Sequence, residues 1–155
     1  MLVFSPLTKA ALGGLLVSGL LALAVQVQAQ PQLVDLAQFR WQKRLLFLFA
    51  PAADDRALQT MQTALAHART EVQDRDLVVF VILEQGQSQQ NGQPLTPQAS
   101  QALRQRFGIP PQTTTVVLVG KDGGVKLQRP GPVPLTDIFA LIDSMPMRQQ
   151  ERRSH

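Results

Sequence analysis

Cysteine is absent from all 155 residues. No thiolate nucleophile, Cys-x-x-Cys redox pair, disulfide or sulfur-ligated metal can be built from this chain, so its folded part is held by packing alone. Tyrosine is absent too, tryptophan occurs once and histidine twice, at His67 and His155. Two imidazoles so far apart do not make a zinc or iron site of the usual kind. His67 lies off the apolar stripe of its helix, as a solvated residue does. Aromatics are 5% of the chain, too few to interleave with a basic stripe and stack on bases, so no nucleic-acid partner is expected. No Ser/His/Asp set is visible, and no motif calls for a cofactor. The net charge of +4 is modest, and much of the excess lies in the tail beyond Met147.

What is present begins with an export signal. Lys9 forms a short basic region, Ala10 to Val25 is apolar, and Val27-Gln28-Ala29 places small residues where a signal peptidase reads them. Residues 1–29 are therefore expected to be removed before Gln30, leaving a periplasmic or secreted protein with no membrane attachment. The apolar run is slightly short for a spanning helix.

Residues 30–39 read as a lead-in, in which Leu33, Leu36 and Phe39 form one helical turn or dock on the domain. Arg40 to Arg44 then delivers a charged approach to Leu45–Ala50, apolar at every position as a strand buried on both faces must be. Pro51 ends it. Asp54 or Asp55 caps a helix carrying Leu58, Met61, Leu65 and Val72, which ends near Glu71. Leu77–Leu83 is a second fully apolar strand, parallel to the first through a right-handed crossover. Glu84 to Pro94 is a Gln-rich stretch read as a polar surface loop. Thr96 caps and Pro97 opens a second helix that runs to the C-cap Gly108. Thr114–Val119 and Val125–Leu127 flank Asp122-Gly123-Gly124 as a β-hairpin. Pro130 to Pro134 is a rigid link. Leu135 to Asp143 is a short final helix stopped by Met145-Pro146-Met147-Arg148, and 149–155 is a basic flexible tail.

The order is β-α-β-α-β-β-α, an α/β chain with a mixed four-stranded sheet and helices on both faces. It resembles the thioredoxin fold over nearly the whole mature domain, 40–148. Leu118-Val-Gly-Lys121-Asp122-Gly123-Gly124-Val125 is similar to the strand–Lys-Asx-Gly–strand hairpin of thioredoxins and peroxiredoxins. Where those proteins carry Cys-x-x-Cys, this chain has Ala53-Asp54-Asp55-Arg56. Where they keep a cis-proline it has Thr114 or Thr115, with Pro110 and Pro111 some residues early. A narrower resemblance rests on Trp41-x-Lys43-Arg44, Arg75-Asp76-Leu, Gly120-Lys121-Asp122-Gly123-Gly124 and Asp143-x-Met145-Pro146-Met147-Arg148. These are similar to an exported bacterial thioredoxin-like family of unknown function, DUF4174. That family is related to a domain repeated in animal matrix proteins of the sushi-repeat and coiled-coil-domain-containing kinds. The resemblance implies a fold and a compartment but no substrate.

Topology brings these motifs to one place. Two parallel strands, an antiparallel third and a returning last helix put all four at the sheet edge opposite the lost redox site. The edge set is Trp41, Lys43, Arg44, Arg75, Asp76, Lys121, Asp122, Asp143, Met145, Met147 and Arg148, joined by Asp74. It reads either as a recognition surface or as an ion-paired plate tying the last helix to the sheet. One or both methionines should seal the core beside Trp41, with Arg148 or Lys121 facing Asp143 or Asp76. Gly120-Lys-Asp-Gly-Gly has a phosphate-loop look, but its glycines join two strands, where a Walker loop joins strand to helix. The expected function is a non-catalytic module that binds a protein or matrix partner. The alternative is a cysteine-independent enzyme, or a redox relic, using the rim at Ala53–Arg56.

Overall fold

Two apolar runs, Leu45–Ala50 and Leu77–Leu83, become the centre of the sheet because each must be covered on both faces. In the computed structural model, which describes residues 33–154, β1 (Arg44–Ala50) is buried along its whole length and pairs in parallel with β2 (Leu77–Leu83). The proposed signal segment, 1–29, lies outside the described residues. β1 also pairs antiparallel with β5 (Thr115–Val119), and β5 with β6 (Val125–Pro130). The alternation of a strand sends Leu46, Leu48 and Ala50 to one face and Leu45, Phe47 and Phe49 to the other. The first face is covered by α1 (Arg56–His67) through Leu58 and Met61 and by α4 (Leu135–Asp143) through Ile138 and Ile142. The second is covered by α3 (Pro97–Arg106), Phe107 and a 3-10 turn at Leu36–Phe39. Phe47 lies at its centre, 4.6 Å from Phe80 and 4.9 Å from Phe107 between ring centroids.

Capping follows the sequence. Asp55 accepts from the Leu58 N–H at 2.8 Å, and Thr96 accepts from Ala99 at 3.2 Å ahead of Pro97. Gly108 takes φ +61° after α3, and Gly123 takes φ +83° in the β5–β6 turn.

Three features depart from expectation. The sheet has six strands, not four, in the order β4-β3-β2-β1-β5-β6. The extra pair, β3 (Gln89–Gln90) and β4 (Gln93–Pro94), lies within the Gln-rich stretch read as a loop. Asn91 and Gly92 turn it at φ +46° and +82°, the backbone a two-residue hairpin requires. Asn91 then fastens it to β2, its side chain accepting from Val79 N–H at 2.9 Å and its own N–H donating to the Val79 carbonyl at 2.8 Å. Second, the helix after β1 breaks at Ala68, and α2 (Arg69–Asp74) carries the chain to β2. Third, Pro146 does not end the helical structure. It opens α5 (Pro146–Arg153), so most of the stretch read as a flexible tail is helical. A proline at the first helical position loses no hydrogen bond.

Candidate functional site

β1 and β2 begin at one edge of the sheet because they are parallel; antiparallel β5 ends there, and α4 runs back to it. Arg44, Asp74–Asp76, Lys121 and Asp143–Arg148 therefore arrive together from four separate stretches of chain. Arg44 shares the face of Leu46 and Leu48 and is fully buried. Its guanidinium reaches Glu151 of α5 in a two-pronged pair at 3.1 and 3.2 Å and donates to the Arg75 carbonyl at 2.9 Å. The buried Lys121 ammonium bridges Glu151 at 2.7 Å and Asp76 at 2.8 Å, and Lys43 meets the other Asp76 oxygen at 2.9 Å. Arg75 pairs with Asp143 at 2.6 Å, and its guanidinium carbon lies 4.5 Å from the centre of the Phe139 ring. Buried Arg148 joins Asp143 at 3.2 Å and also pairs with Asp74, while donating to the Asp74 carbonyl at 2.8 Å.

One network results, joined by Arg148 to Glu151 at 3.8 Å, with five cations (Lys43, Arg44, Arg75, Lys121, Arg148) against four carboxylates (Asp74, Asp76, Asp143, Glu151). Burial disfavours the ionised form of Asp76, yet hydrogen bonds from Lys121 and Lys43 outweigh it and hold its carboxyl below the usual range. The same balance lowers Asp143, through Arg75 and Arg148, and Glu151, through Lys121 and Arg44. Partial burial of the Arg148 guanidinium works against its charge, but Asp143 and Asp74 prevail and raise its pKa further. Nearly every hydrogen-bonding group here is committed to the protein's own structure.

Of the residues predicted from sequence for this edge, Lys43, Arg44, Arg75, Asp76, Lys121, Asp143 and Arg148 converge, with Arg148 on Asp143 and Lys121 on Asp76. Asp122 instead binds locally to Lys126 at 2.5 Å and accepts from the Gly124 N–H, both of which lower its pKa. Met145 packs on the core, and Met147 is half-buried. Trp41 does not close the core beside them: 62% of it is exposed. The residue missed is Glu151, the one carboxylate that joins Arg44 to Lys121. Its signal was the Arg148-x-x-Glu151 spacing after a proline suited to a helix start.

The opposite rim, where the thioredoxin fold keeps its cysteines, offers little. Asp55 is used as the α1 cap. Glu84 accepts from Gln112 N–H at 2.7 Å and pairs with Arg104, which also donates to the Pro110 carbonyl at 3.0 Å. A cleft of about 470 Å³ opens there between α3 and the Gln-rich hairpin, and residues 53–56 are not part of its lining. Thr115 is buried in β5.

A larger cleft, about 550 Å³, lies between the Leu36–Phe39 turn, the end of α3 and the β5–β6 turn. Arg40, Arg106 and Val125 line it, and neither arginine pairs with a carboxylate among the described residues. Beside it, Trp41 has φ +67°, held by its N–H donating to the Lys121 carbonyl at 2.6 Å, and the Arg40 guanidinium carbon lies 5.7 Å from the indole centre. Gly123 makes room for Arg40: a Cβ there would meet its Nε at 3.2 Å.

Comparison with known proteins agrees with this architecture. Coiled-coil domain-containing protein 80 of Danio rerio is 30% identical over 132 residues, 75% of this chain but 15% of that protein. The chain thus corresponds to a small part of that relative's length. The reduced 2-Cys peroxiredoxin of Plasmodium vivax superposes with a TM-score of 0.57 at 15% identity, over 77% of this chain and 85% of that one. The pneumococcal exposed lipoprotein thioredoxin Etrx1 of Streptococcus pneumoniae does so at 0.50 and 13%, over 70% and 89%. These likenesses show a thioredoxin-like fold, here without cysteine. Residues 35–151 match the family model described as Domain of unknown function (DUF4174), ending at the Glu151 that completes the ion-pair plate. The chain is a member of the DUF4174 family.

Proposed function

We propose that this domain is a non-catalytic module that binds a protein partner through the surface around Trp41 and Arg40. Trp41 carries the reading. A bulky residue with left-handed backbone costs about 1–2 kcal/mol, and such strain persists at sites where function requires it. Here it holds a large indole out in solvent with an arginine over its face, the residue types that dominate protein interfaces. Arg40 and Arg106, both without carboxylate partners among the described residues, favour a partner segment bearing Asp or Glu. The charged plate behind them serves to hold α5 and the β5–β6 turn in place. An exported location, with residues 1–29 removed, fits a periplasmic or matrix partner.

The test is affinity capture from the exported fraction with wild-type protein and with Trp41→Ala. A partner bound by wild type and lost from the variant, whose circular dichroism is unchanged, supports the reading. Identical capture by both overturns it. The mature protein captured in this way should begin at Gln30, and thiol–disulfide exchange should remain at background.

A further inference from the structure

A smaller cleft of about 290 Å³ lies on the other side of the β5–β6 turn, between that turn and the α4–α5 junction. Its apolar lining is Met145, Pro146 and Met147; its charged lining is Arg44, Lys121, Lys126 and Asp122. Three observations give this cleft an anionic bias. Arg44 is fully buried, its Nε included, and among the described residues that Nε has no hydrogen-bond partner. The other such atom, Arg75 Nε, belongs to a guanidinium stacked on Phe139 and away from this lining. Lys121 has three ammonium protons and, among the described residues, two carboxylate partners, Asp76 and Glu151. Finally, α5 begins at this cleft with no side-chain cap, so its first N–H groups and the positive end of its dipole are uncompensated there.

Behind the cleft the buried Arg44 and Lys121 share Glu151, and the second carboxylate of Lys121, Asp76, is 39% exposed and shared with Lys43. Asp122 lines the cleft too, but its carboxylate is occupied by Lys126 and the Gly124 N–H. We propose that the cleft between Met145–Met147 and the Arg44/Lys121 pair binds a single carboxylate carrying an aliphatic chain. The carboxylate lies at the Arg44, Lys121 and α5 end. The chain lies along the two methionines, whose unbranched side chains adapt to irregular apolar shapes. The volume lies just below the roughly 300 Å³ at which ligand pockets begin, a size that suits a short fatty acid or the last residue of a polypeptide. A phosphate would bring a second charge and leave the methionine wall unused.

The test titrates isotope-labelled protein with sodium octanoate, following the Arg44 Nε–H and the Met145 and Met147 methyl resonances. Octanol and inorganic phosphate are run as controls for the chain alone and the charge alone. Saturable octanoate shifts at all three groups, with both controls at least ten-fold weaker, are expected. Met147→Glu places a negative charge at the half-buried wall and should weaken octanoate at least ten-fold with unchanged circular dichroism. Lys126→Glu, on the exposed outer strand, should act in the same direction and serves if the first variant does not fold. Trp41→Ala should leave the affinity unchanged, separating this site from the partner surface. A short peptide ending in leucine, free or amidated, distinguishes the sources of the carboxylate. Binding of the free peptide in preference to octanoate assigns a polypeptide C-terminus, and the reverse assigns a fatty acid. Amidated peptide or phosphate binding as well as the acids, or no saturable shift with any acid, overturns the proposal.

Discussion

Glu151 neutralises two buried cations with one carboxyl group, so its loss is felt twice. Removing one partner of a buried pair leaves an uncompensated charge and typically costs about 3–5 kcal/mol. Glu151 is 23% exposed, so water can partly replace it, and Glu151→Ala should lie near the low end, about 3 kcal/mol by urea unfolding. Replacing Arg44 and Glu151 together by Met and Leu should cost distinctly less than the two single changes added, because Arg44 is then not left stranded and Lys121 still has Asp76. Trp41 predicts the opposite sign. Trp41→Gly relieves a left-handed backbone, and although glycine loosens the unfolded chain, the variant should be up to about 1 kcal/mol more stable. The same variant should lose the proposed partner, a trade expected where function maintains strain. A melting curve and a capture experiment on that one variant read both effects. At this scale the sequence made the convergence of Arg44, Asp76, Lys121 and Asp143 legible, because strand direction alone determines which ends meet. It did not place Trp41, since an aromatic beside a strand is ordinarily core. Only the φ of +67° and the bond to Lys121 turn it outward.

Helix α5 is stabilised by ion pairs more than by apolar burial: Arg148 is its one buried residue, and Glu151 bonds to β1 and to the β5–β6 turn. Isolated helices of this length are marginal in water. Truncation after Gln150 should therefore lower the unfolding midpoint about as far as Glu151→Ala does. Truncation after Arg153 should be almost silent, because the bonds of Ser154 reach only Gln150 and Glu151 of the same helix. Equal midpoints for the Gln150 truncation and the full chain would remove the structural role assigned to α5. The sequence misled here for a physical reason. Proline both ends a preceding helix and begins the next one, and Pro146 does both. The Gln-rich hairpin was missed differently. Its Asn91-Gly92 turn was readable, but the flanking glutamines lack the apolar alternation by which strands are recognised.

For the molecule as a whole, the charged plate couples stability to pH. Asp76, Asp143 and Glu151 have lower pKa values folded than unfolded. Their stabilisation is complete above the ordinary values, 3.8 for Asp and 4.5 for Glu, and is lost as pH falls through the lowered folded ones. Unfolding followed from pH 7 to pH 2 should show a flat upper region and a steep acid decline. Glu151→Gln should start lower and decline less, since one of the plate's three linked protons is gone and Asp122, outside the plate, is unaffected. An unchanged acid slope in that variant would separate Glu151 from the plate. What the sequence by itself determined is the sheet's centre, the covering of both its faces, the hairpin and the impossibility of thiol chemistry. These follow from residue periodicity and from which atoms the chain contains. What only the tertiary structure decided is the use of the charges: which carboxylate meets which cation, which arginines stay unpaired, and where Arg44 Nε is left without a partner. Hydrophobic pattern acts along the chain and survives as text, whereas an ion pair between Arg44 and Glu151, 107 positions apart, exists only once the sheet and α5 have brought them to 3.1 Å.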